Sequence, residues 1–157
     1  MKQQIAIYLR VSLEDVDKRT NKLKDESNSI ASQRILLNRH LDQKPMLCDL
    51  PRIEFFDDGF SGTNFDRPDF MRMIEYAKKG EISCIVVKDL SRFGRDYLEV
   101  GDYLEHIFPF LGIRFEYIND HYDSAKHEGK TIGMDIAFKN LIYECFIGNI
   151  SFYKYPF

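Results

Sequence analysis

The segment that decides the fold joins an apolar run to a basic loop: Ile82-Ser83-Cys84-Ile85-Val86-Val87, followed by Lys88-Asp89-Leu90-Ser91-Arg92-Phe93-Gly94-Arg95. The apolar run is typical of a parallel strand that is buried on both faces. The loop carries three cations in eight residues and a glycine that permits a sharp turn. Ligands of open α/β sheets bind beyond the carboxyl ends of the strands, and guanidinium groups there suit a phosphate or another oxyanion. The segment therefore predicts a central strand with an anion site at its end.

A second predicted strand, residues 5–11, ends in a similar way, with Arg10-Val11-Ser12. It adds an arginine and a hydroxyl nucleophile to the site. A lone serine after a strand is usually a turn residue, and a serine hydroxyl needs activation before it can attack. The four histidines have no signature spacing to Ser12 and there is no G-x-S-x-G elbow, so a Ser-His-Asp hydrolase is weakly supported.

Four arginines lie at or just past predicted strand ends: Arg10, Arg67, Arg92 and Arg95. Arginines are most often solvated surface charges, which is the alternative interpretation. Against it, the run from Lys88 to Arg95 carries a net charge of +2 in a chain whose net charge is −3. Guanidinium groups match the charge that develops on the equatorial oxygens of a reacting phosphate. The pattern favours phosphoryl chemistry.

Composition sets the class of protein. A chain of 157 residues with 44% hydrophobic and 30% charged residues is expected to form one globular domain. The acidic net charge does not by itself indicate nucleic-acid binding. Three widely spaced cysteines argue against a disulfide framework or a zinc ribbon and suit a reducing compartment. No apolar run is long enough to span a membrane, so we expect a cytoplasmic protein.

The predicted elements alternate between strands and helices. Strands are expected at 5–11, 53–56, 82–87 and 113–118, and helices at about 28–43, 68–79, 97–111 and from about 131. Ser27 or Asn28 is expected to cap the first helix, and residues 13–28, 57–64 and 121–130 are expected to be loops. The order predicts an α/β fold with a mostly parallel sheet of four to five strands flanked by helices.

No cofactor site is apparent. Asp57 and Asp58 are adjacent carboxylates without a clear third ligand, which is weak evidence for Mg²⁺. The sequence contains neither a Walker A loop nor a G-x-G-x-x-G fingerprint. We therefore expect neither a metal nor a nucleotide cofactor.

Three motifs occur in a fixed order along the chain: Tyr8-Leu9-Arg10-Val11-Ser12, then Asp58-Gly59-Phe60-Ser61-Gly62 with Arg67-Pro68, then Leu90-Ser91-Arg92-Phe93-Gly94-Arg95-Asp96. The ordered set resembles the catalytic domain of serine site-specific recombinases, the resolvase/invertase superfamily, from residue 5 to about residue 145. The third motif and the long loop at 13–28 are similar to the large transposon- and phage-type members.

That resemblance implies a function. Ser12 would cleave DNA to a 5′-phosphoserine intermediate, and strand exchange and religation would follow without metal or ATP. Arg10, Arg92 and Arg95 would hold the phosphate and activate the serine, and Arg67 would belong to the same site. The supporting positions would be Gln33, Asp58 and Ser91, where Ser91 replaces an aspartate of many small resolvases. Lys88 is a further candidate for DNA or phosphate binding.

The resemblance also implies an organisation. Residues 1–130 would be the catalytic domain, and residues 131–157 the start of a long oligomerisation helix that ends early, without the DNA-binding domains. We therefore expect a homodimer that becomes a tetramer in the active complex, and weak DNA binding. Two other functions stay open: a shortened, non-catalytic assembly or interfering partner of a full-length recombinase, and, more distantly, a phosphohydrolase or phosphate-binding α/β domain.

Overall fold

A five-stranded sheet forms the centre of the computed structural model, which describes residues 3–25, 28–59, 67–94 and 97–126. The strands are β1 (Gln4–Val11), β2 (Arg52–Asp58), β3 (Ile82–Val87), β4 (Arg114–Tyr117) and β5 (Tyr122–Asp123), in the order β2-β1-β3-β4-β5. The first four are parallel, and β5 pairs antiparallel with β4. The expected α/β fold with a mostly parallel sheet is confirmed.

Helices connect the strands and cover the sheet. They are α1 (Ile30–Asp42), α2 (Pro68–Lys78), α3 (Leu90–Phe93), α4 (Tyr97–Asp102) and α5 (Phe108–Leu111), and a π-helical stretch, Tyr103–Ile107, joins α4 to α5. The helix expected at 97–111 is therefore present, with a change of winding before Pro109. It ends at Gly112, whose left-handed backbone (φ 69°) lets its N–H bond the carbonyls of Phe108 and Pro109.

Strand β1 is buried on both faces, as its near-continuous apolar sequence predicts. Ala6 and Tyr8 face a cluster built with α2, α3 and the helices after it. Ile5, Ile7 and Leu9 face the opposite side and pack under Leu37 and Leu41 of α1. Because both faces are covered, the polar groups of β1 that can meet a substrate are those at its carboxyl end.

Several sequence expectations need correction. Helix α1 is capped by Ser29, whose hydroxyl accepts a hydrogen bond from the Ser32 amide at 3.0 Å, and not by Ser27 or Asn28. Asp57 and Asp58 end strand β2 and do not open a loop, because residues 52–58 pair with residues 5–11 of β1. Part of the expected 13–28 loop is ordered by a 3-10 turn at Leu13–Asp15 and an antiparallel bridge between Val16 and Leu23.

The basic loop after β3 and the segment 121–130 also contain regular structure that the sequence does not predict. The four-residue helix α3 follows β3 directly, because Asp89 caps it by accepting from the Arg92 amide. Strand β5 and a 3-10 turn at Ser124–Lys126 occupy part of the second segment. The expected helix from residue 131, the division at residue 130 and the oligomerisation segment lie outside the described residues, as does Arg95. None of the helices within the described ranges is long and apolar enough to cross a membrane.

Candidate active site at the carboxyl ends of β1 and β3

The end of β1 and the helix after β3 are held together by two arginines. The Arg92 Nη1 donates to the backbone carbonyl of Arg10 at 3.0 Å, and the Arg10 Nε donates to the backbone carbonyl of Arg92 at 3.1 Å. The two residues are 82 positions apart, and they meet because β1 and β3 are parallel neighbours whose carboxyl ends lie at one edge of the sheet. Arg10 and Arg92 thus form one unit, as the strand-end pattern predicts.

A third arginine, Arg67, also contacts helix α3. Arg10 Nη2 also donates to the carbonyl of Ser91, and Arg67 Nη1 donates to the carbonyl of Phe93. The last carbonyls of a helix have no partner within it, so guanidinium groups are favourable there. The Arg67 guanidinium also lies 4.0 Å from the centroid of the Phe70 ring, which fixes its plane. The side chains of Arg10 and Arg67 therefore both bond carbonyls of α3, the helix that carries Arg92.

Ser12 follows β1 directly and is connected to Arg92 through Asp15. Asp15 Oδ2 accepts from the Ser12 hydroxyl at 2.8 Å and from the Ser12 amide at 2.8 Å. The same carboxylate accepts from Arg92 Nη1 at 2.6 Å and Nη2 at 3.0 Å. The Ser12 hydroxyl and the Arg92 guanidinium thus share one carboxylate.

The Ser12–Asp15–Arg92 contacts are largely shielded from water. Ser12 and Arg92 are each 6% exposed. Burial acts to raise the pKa of Asp15, but the hydrogen bonds from Arg92 and Ser12 and the Arg92 charge outweigh it and hold that pKa well below its ordinary value. Asp15 is therefore a carboxylate, and a weak proton acceptor, throughout the physiological pH range.

Gln33 fixes the backbone of Arg10. Its Nε2 donates to the Arg10 carbonyl at 3.0 Å and to the Asn28 carbonyl at 2.7 Å, and its Oε1 accepts from the Arg10 amide at 3.3 Å. The side chain is fully buried, so these bonds satisfy polar groups that water cannot reach. Gln33 is a supporting residue that acts through the backbone of Arg10.

The other expected site residues lie around this centre. Asp58 is the last residue of β2, opposite Val11, and is exposed. Ser91 Oγ donates to Asp89 Oδ1 at 2.5 Å, so the hydroxyl belongs to the cap of α3. Lys88 is only 8% exposed, and its ammonium donates to Asn28 Oδ1 at 2.7 Å. The structure thus places Lys88 beneath the surface, beside the segment that leads into α1.

Asp57 has a structural role in this region. Its carboxylate accepts from the Tyr8 hydroxyl at 2.8 Å and from the amides of Asp69 and Phe70 at 3.1 and 3.0 Å. These amides belong to the first turn of α2, where N–H groups lack partners within the helix. Asp57 therefore joins β1, β2 and α2. Among the residues that the structure describes, no three His, Cys, Asp or Glu side chains are grouped to hold a metal ion.

Sequence reasoning missed Asp15. A signal for it was present, because Ser12-Leu13-Glu14-Asp15 has the spacing at which an acidic side chain reaches back to the amide of a capping serine. The carboxylate does so, and the Asp15 amide in turn donates to the Ser12 carbonyl at 3.0 Å.

Comparisons with known proteins identify the family of the chain. Residues 5–139 match the family model "Resolvase, N terminal domain". A resolvase family site-specific recombinase from Streptococcus pneumoniae is 25% identical, with a TM-score of 0.63 over 91% of this chain and 89% of that chain. No curated protein matches the chain in sequence.

Two further solved structures show the same fold at lower identity. The N-terminal catalytic domain of TP901-1 integrase is 21% identical, with a TM-score of 0.64 over 90% of this chain and 97% of that chain. A serine recombinase from Sulfolobus solfataricus is 19% identical, with a TM-score of 0.52 over 92% and 88%. Since the resolvase model spans most of the sequence, the chain belongs to the resolvase family of serine recombinases.

Proposed function

We propose that this chain is the catalytic domain of a DNA recombinase and that Ser12 is its nucleophile. The observation that carries the proposal is the shared carboxylate of Asp15, which ties the Ser12 hydroxyl to the Arg92 fork. A hydroxyl linked in this way to a buried guanidinium, at the carboxyl end of a parallel strand, suits attack on a phosphodiester. Membership of the resolvase family supports DNA as the substrate.

The chemical step is a transesterification. Ser12 Oγ forms a bond to phosphorus and loses its proton, the bond from phosphorus to the 3′ oxygen breaks, and that oxygen leaves as a 3′ hydroxyl after taking up a proton. The product is a 5′-phosphoserine, and attack by a 3′ hydroxyl on this ester reverses the step. Because one phosphoester replaces another, the sequence of cleavage and religation needs no ATP.

The arginines supply electrostatic stabilisation of the transition state. Negative charge grows on the non-bridging oxygens as the phosphorus becomes five-coordinate, and oriented guanidinium groups stabilise it. Arg10 and Arg92 fix each other's position through their backbone carbonyls, so both guanidinium groups are held at the carboxyl end of β1 before phosphate arrives. Arg67 is anchored to the same helix, and by the family resemblance Arg95 completes the set.

The wider organisation is also a proposal. We infer a homodimer that forms a tetramer on DNA, residues 1–130 as the catalytic domain, and residues 131–157 as the beginning of an oligomerisation helix. The acidic net charge of −3 agrees with weak DNA binding by this chain alone. Lys88 would support the site indirectly, since its ammonium group donates a hydrogen bond to the side chain of Asn28.

The proposal is tested by trapping the covalent intermediate. The chain is fused to a sequence-specific DNA-binding domain, which raises the local concentration of DNA, and incubated with a duplex nicked near the cleavage point so that religation fails. We expect a denaturation-resistant adduct in which the protein is joined to the 5′ end at the break, and we expect this adduct to be lost in Ser12→Ala. Ser83→Ala is the matched control, because Ser83 lies near the start of β3, at the opposite end of the strand, where its hydroxyl contacts the Gln4 carbonyl at 3.5 Å.

Two results would contradict the proposal. An adduct that persists in Ser12→Ala would place the nucleophile elsewhere. No adduct in any variant, with mixed oligomers formed alongside a full-length recombinase, would favour the non-catalytic assembly role.

A further inference from the structure

Asp15 lies between the two groups that must meet the substrate. We propose that its carboxylate holds the place of the substrate phosphate and keeps the site closed, so that a phosphate enters by displacing Asp15 from Arg92. The inference rests on the proposed function to the extent that Arg92 is taken as a phosphate-binding residue.

The geometry of the Asp15–Arg92 pair is that of an oxyanion held by a guanidinium. One carboxylate oxygen meets each terminal nitrogen, at 2.6 Å for Nη1 and 3.0 Å for Nη2. Arginine binds a phosphate through the same two parallel hydrogen bonds. A phosphate therefore cannot take this edge of Arg92 while Asp15 remains there.

The same carboxylate also controls the nucleophile. Its Oδ2 accepts the Ser12 hydroxyl proton at 2.8 Å, so the hydroxyl is oriented toward Asp15. The contact is shielded, because the side chains of Arg92 and Asp15 are 7% and 12% exposed. Salt and water screen such a pair much less than a surface ion pair, which makes the closed arrangement persistent.

A carboxylate 2.8 Å from a hydroxyl also has the geometry of a general base. Two facts argue against that role while Arg92 is bound to it. Arg92 Nη1 already donates to the same Oδ2 at 2.6 Å, and the lowered pKa of Asp15 makes it a weak base. Displacement from Arg92 must come before any proton transfer to this group.

Release of Asp15 requires only a local movement. The residue ends the 3-10 turn Leu13–Asp15, and its carbonyl accepts from the Lys24 amide at 2.8 Å. Val16, the next residue, is 5% exposed and is bridged to Leu23. The backbone is therefore held in place, and rotation of the Asp15 side chain is sufficient to free the Arg92 fork.

The test measures competition for Arg92 without any DNA cleavage. Inorganic phosphate is titrated into the whole chain, and binding is followed by the NMR signal of Arg92 Nε in wild type, Asp15→Asn and Asp17→Asn. Asp17→Asn is the charge-matched control, because Asp17 lies in the same segment and its side chain accepts from the Arg19 amide. We expect Asp15→Asn to bind phosphate at least about tenfold more tightly, since an amide competes less well than a carboxylate for the fork, and Asp17→Asn to change affinity less than about twofold.

If Asp15 has only a structural role, the change in phosphate affinity should have the opposite sign, because a loosened site binds phosphate more weakly. Equal or weaker binding by Asp15→Asn would therefore overturn the proposal. In the double variant Asp15→Asn/Arg92→Lys, which lacks Arg92 Nε, binding is followed instead by the backbone amide signal of Ser12. The gain in phosphate affinity is expected to be lost there, and a gain that is retained would overturn the proposal as well, since the phosphate would bind elsewhere.

A measurement on the wild-type chain covers the case in which Asp15→Asn fails to fold. The carboxyl ¹³C signal of Asp15 is expected to move when phosphate saturates Arg92; an unmoved signal would show both anions bound together and would overturn the proposal. Failure here leaves the Ser12 adduct experiment unaffected, and absence of an adduct leaves this competition intact, so the two proposals fail separately.

Discussion

Arg10 and Arg92 each donate a side-chain hydrogen bond to the other's backbone carbonyl, at 3.1 and 3.0 Å. This exchange joins α3 to the end of β1 through two backbone carbonyls, and it is separate from the bonds that Arg92 makes to the Asp15 carboxylate. It also makes the two arginines part of the fold. Changes at either residue are expected to affect stability as well as chemistry.

Arg10→Lys tests the structural part of this exchange. Lysine keeps the charge but cannot present the two donors that reach the Arg92 and Ser91 carbonyls together. We expect the free energy of unfolding to fall by about 1–3 kcal/mol in urea titrations, because at least one buried carbonyl loses its partner. Arg34→Lys is the control: its pair with Glu54 is 44% and 30% exposed, so the change should cost less than about 1 kcal/mol. Equal costs would mean that the exchange does not stabilise the fold.

Gly59→Ala tests the close approach between β2 and the Ser12 segment. A Cβ at Gly59 would lie 3.1 Å from the Val11 carbonyl oxygen and 3.3 Å from both Ser12 Cα and the Leu13 nitrogen, all of them backbone atoms. We expect destabilisation of about 1–3 kcal/mol and shifted amide signals at Ser12 and Leu13. Gly101→Ala is the matched control, since its Cβ would meet nothing within 4 Å and helix α4 should gain about 0.5–1 kcal/mol. Unshifted Ser12 signals in Gly59→Ala would contradict this packing.

The sheet and most of the site could be predicted from sequence because the signals are local. The runs 5–11 and 82–87 are apolar enough to require burial on both faces, and parallel strands bring their carboxyl ends to one edge. That rule alone places Arg10, Ser12 and the Arg92 segment together. The ordered motifs further predict a recombinase site rather than a generic anion site.

The features that sequence reasoning missed depend on contacts between distant residues. Strand β5 has only two residues, and it is held by the Arg114–Asp123 pair and by a bond from the Phe115 amide to Ser124. No periodicity can indicate so short a strand. The hydrogen bond between His40 and Glu116 joins residues 76 positions apart, so no local sequence pattern indicates that His40 contacts the buried Glu116 carboxylate.

Asp15 should contribute to acid stability. Its pKa is lowered in the folded chain from the ordinary value of 3.8, so it stabilises the fold above that value, and the contribution is lost as the pH falls through the folded pKa. We expect Asp15→Asn to be less stable than wild type at pH 7 and to show a flatter decline in stability below about pH 4. The pKa of Asp123 is also lowered, by its hydrogen bonds from Arg114 and Ala125. Protonation of Asp123 should therefore still cause part of the acid-induced loss of stability in Asp15→Asn. Urea titrations from about pH 2 to 7 would check this, and parallel curves for the two proteins would contradict it.

Glu116 should be the most costly charge to remove on the side of the sheet covered by α1. It is 1% exposed, and its carboxylate meets Lys44 at 2.6 Å, His40 at 2.8 Å and Arg114 at 2.8 Å. Glu116→Gln keeps the shape of the buried side chain but leaves the partly buried Lys44 and Arg114 opposed mainly by Asp123. We therefore expect the free energy of unfolding to fall by about 3–5 kcal/mol, a loss that persists in about 1 M salt. Glu75→Gln removes the same charge from a pair with Lys78 that is 56% and 57% exposed, and should cost less than about 0.5 kcal/mol. A loss below about 1 kcal/mol for Glu116→Gln would mean that Asp123 alone balances the cluster.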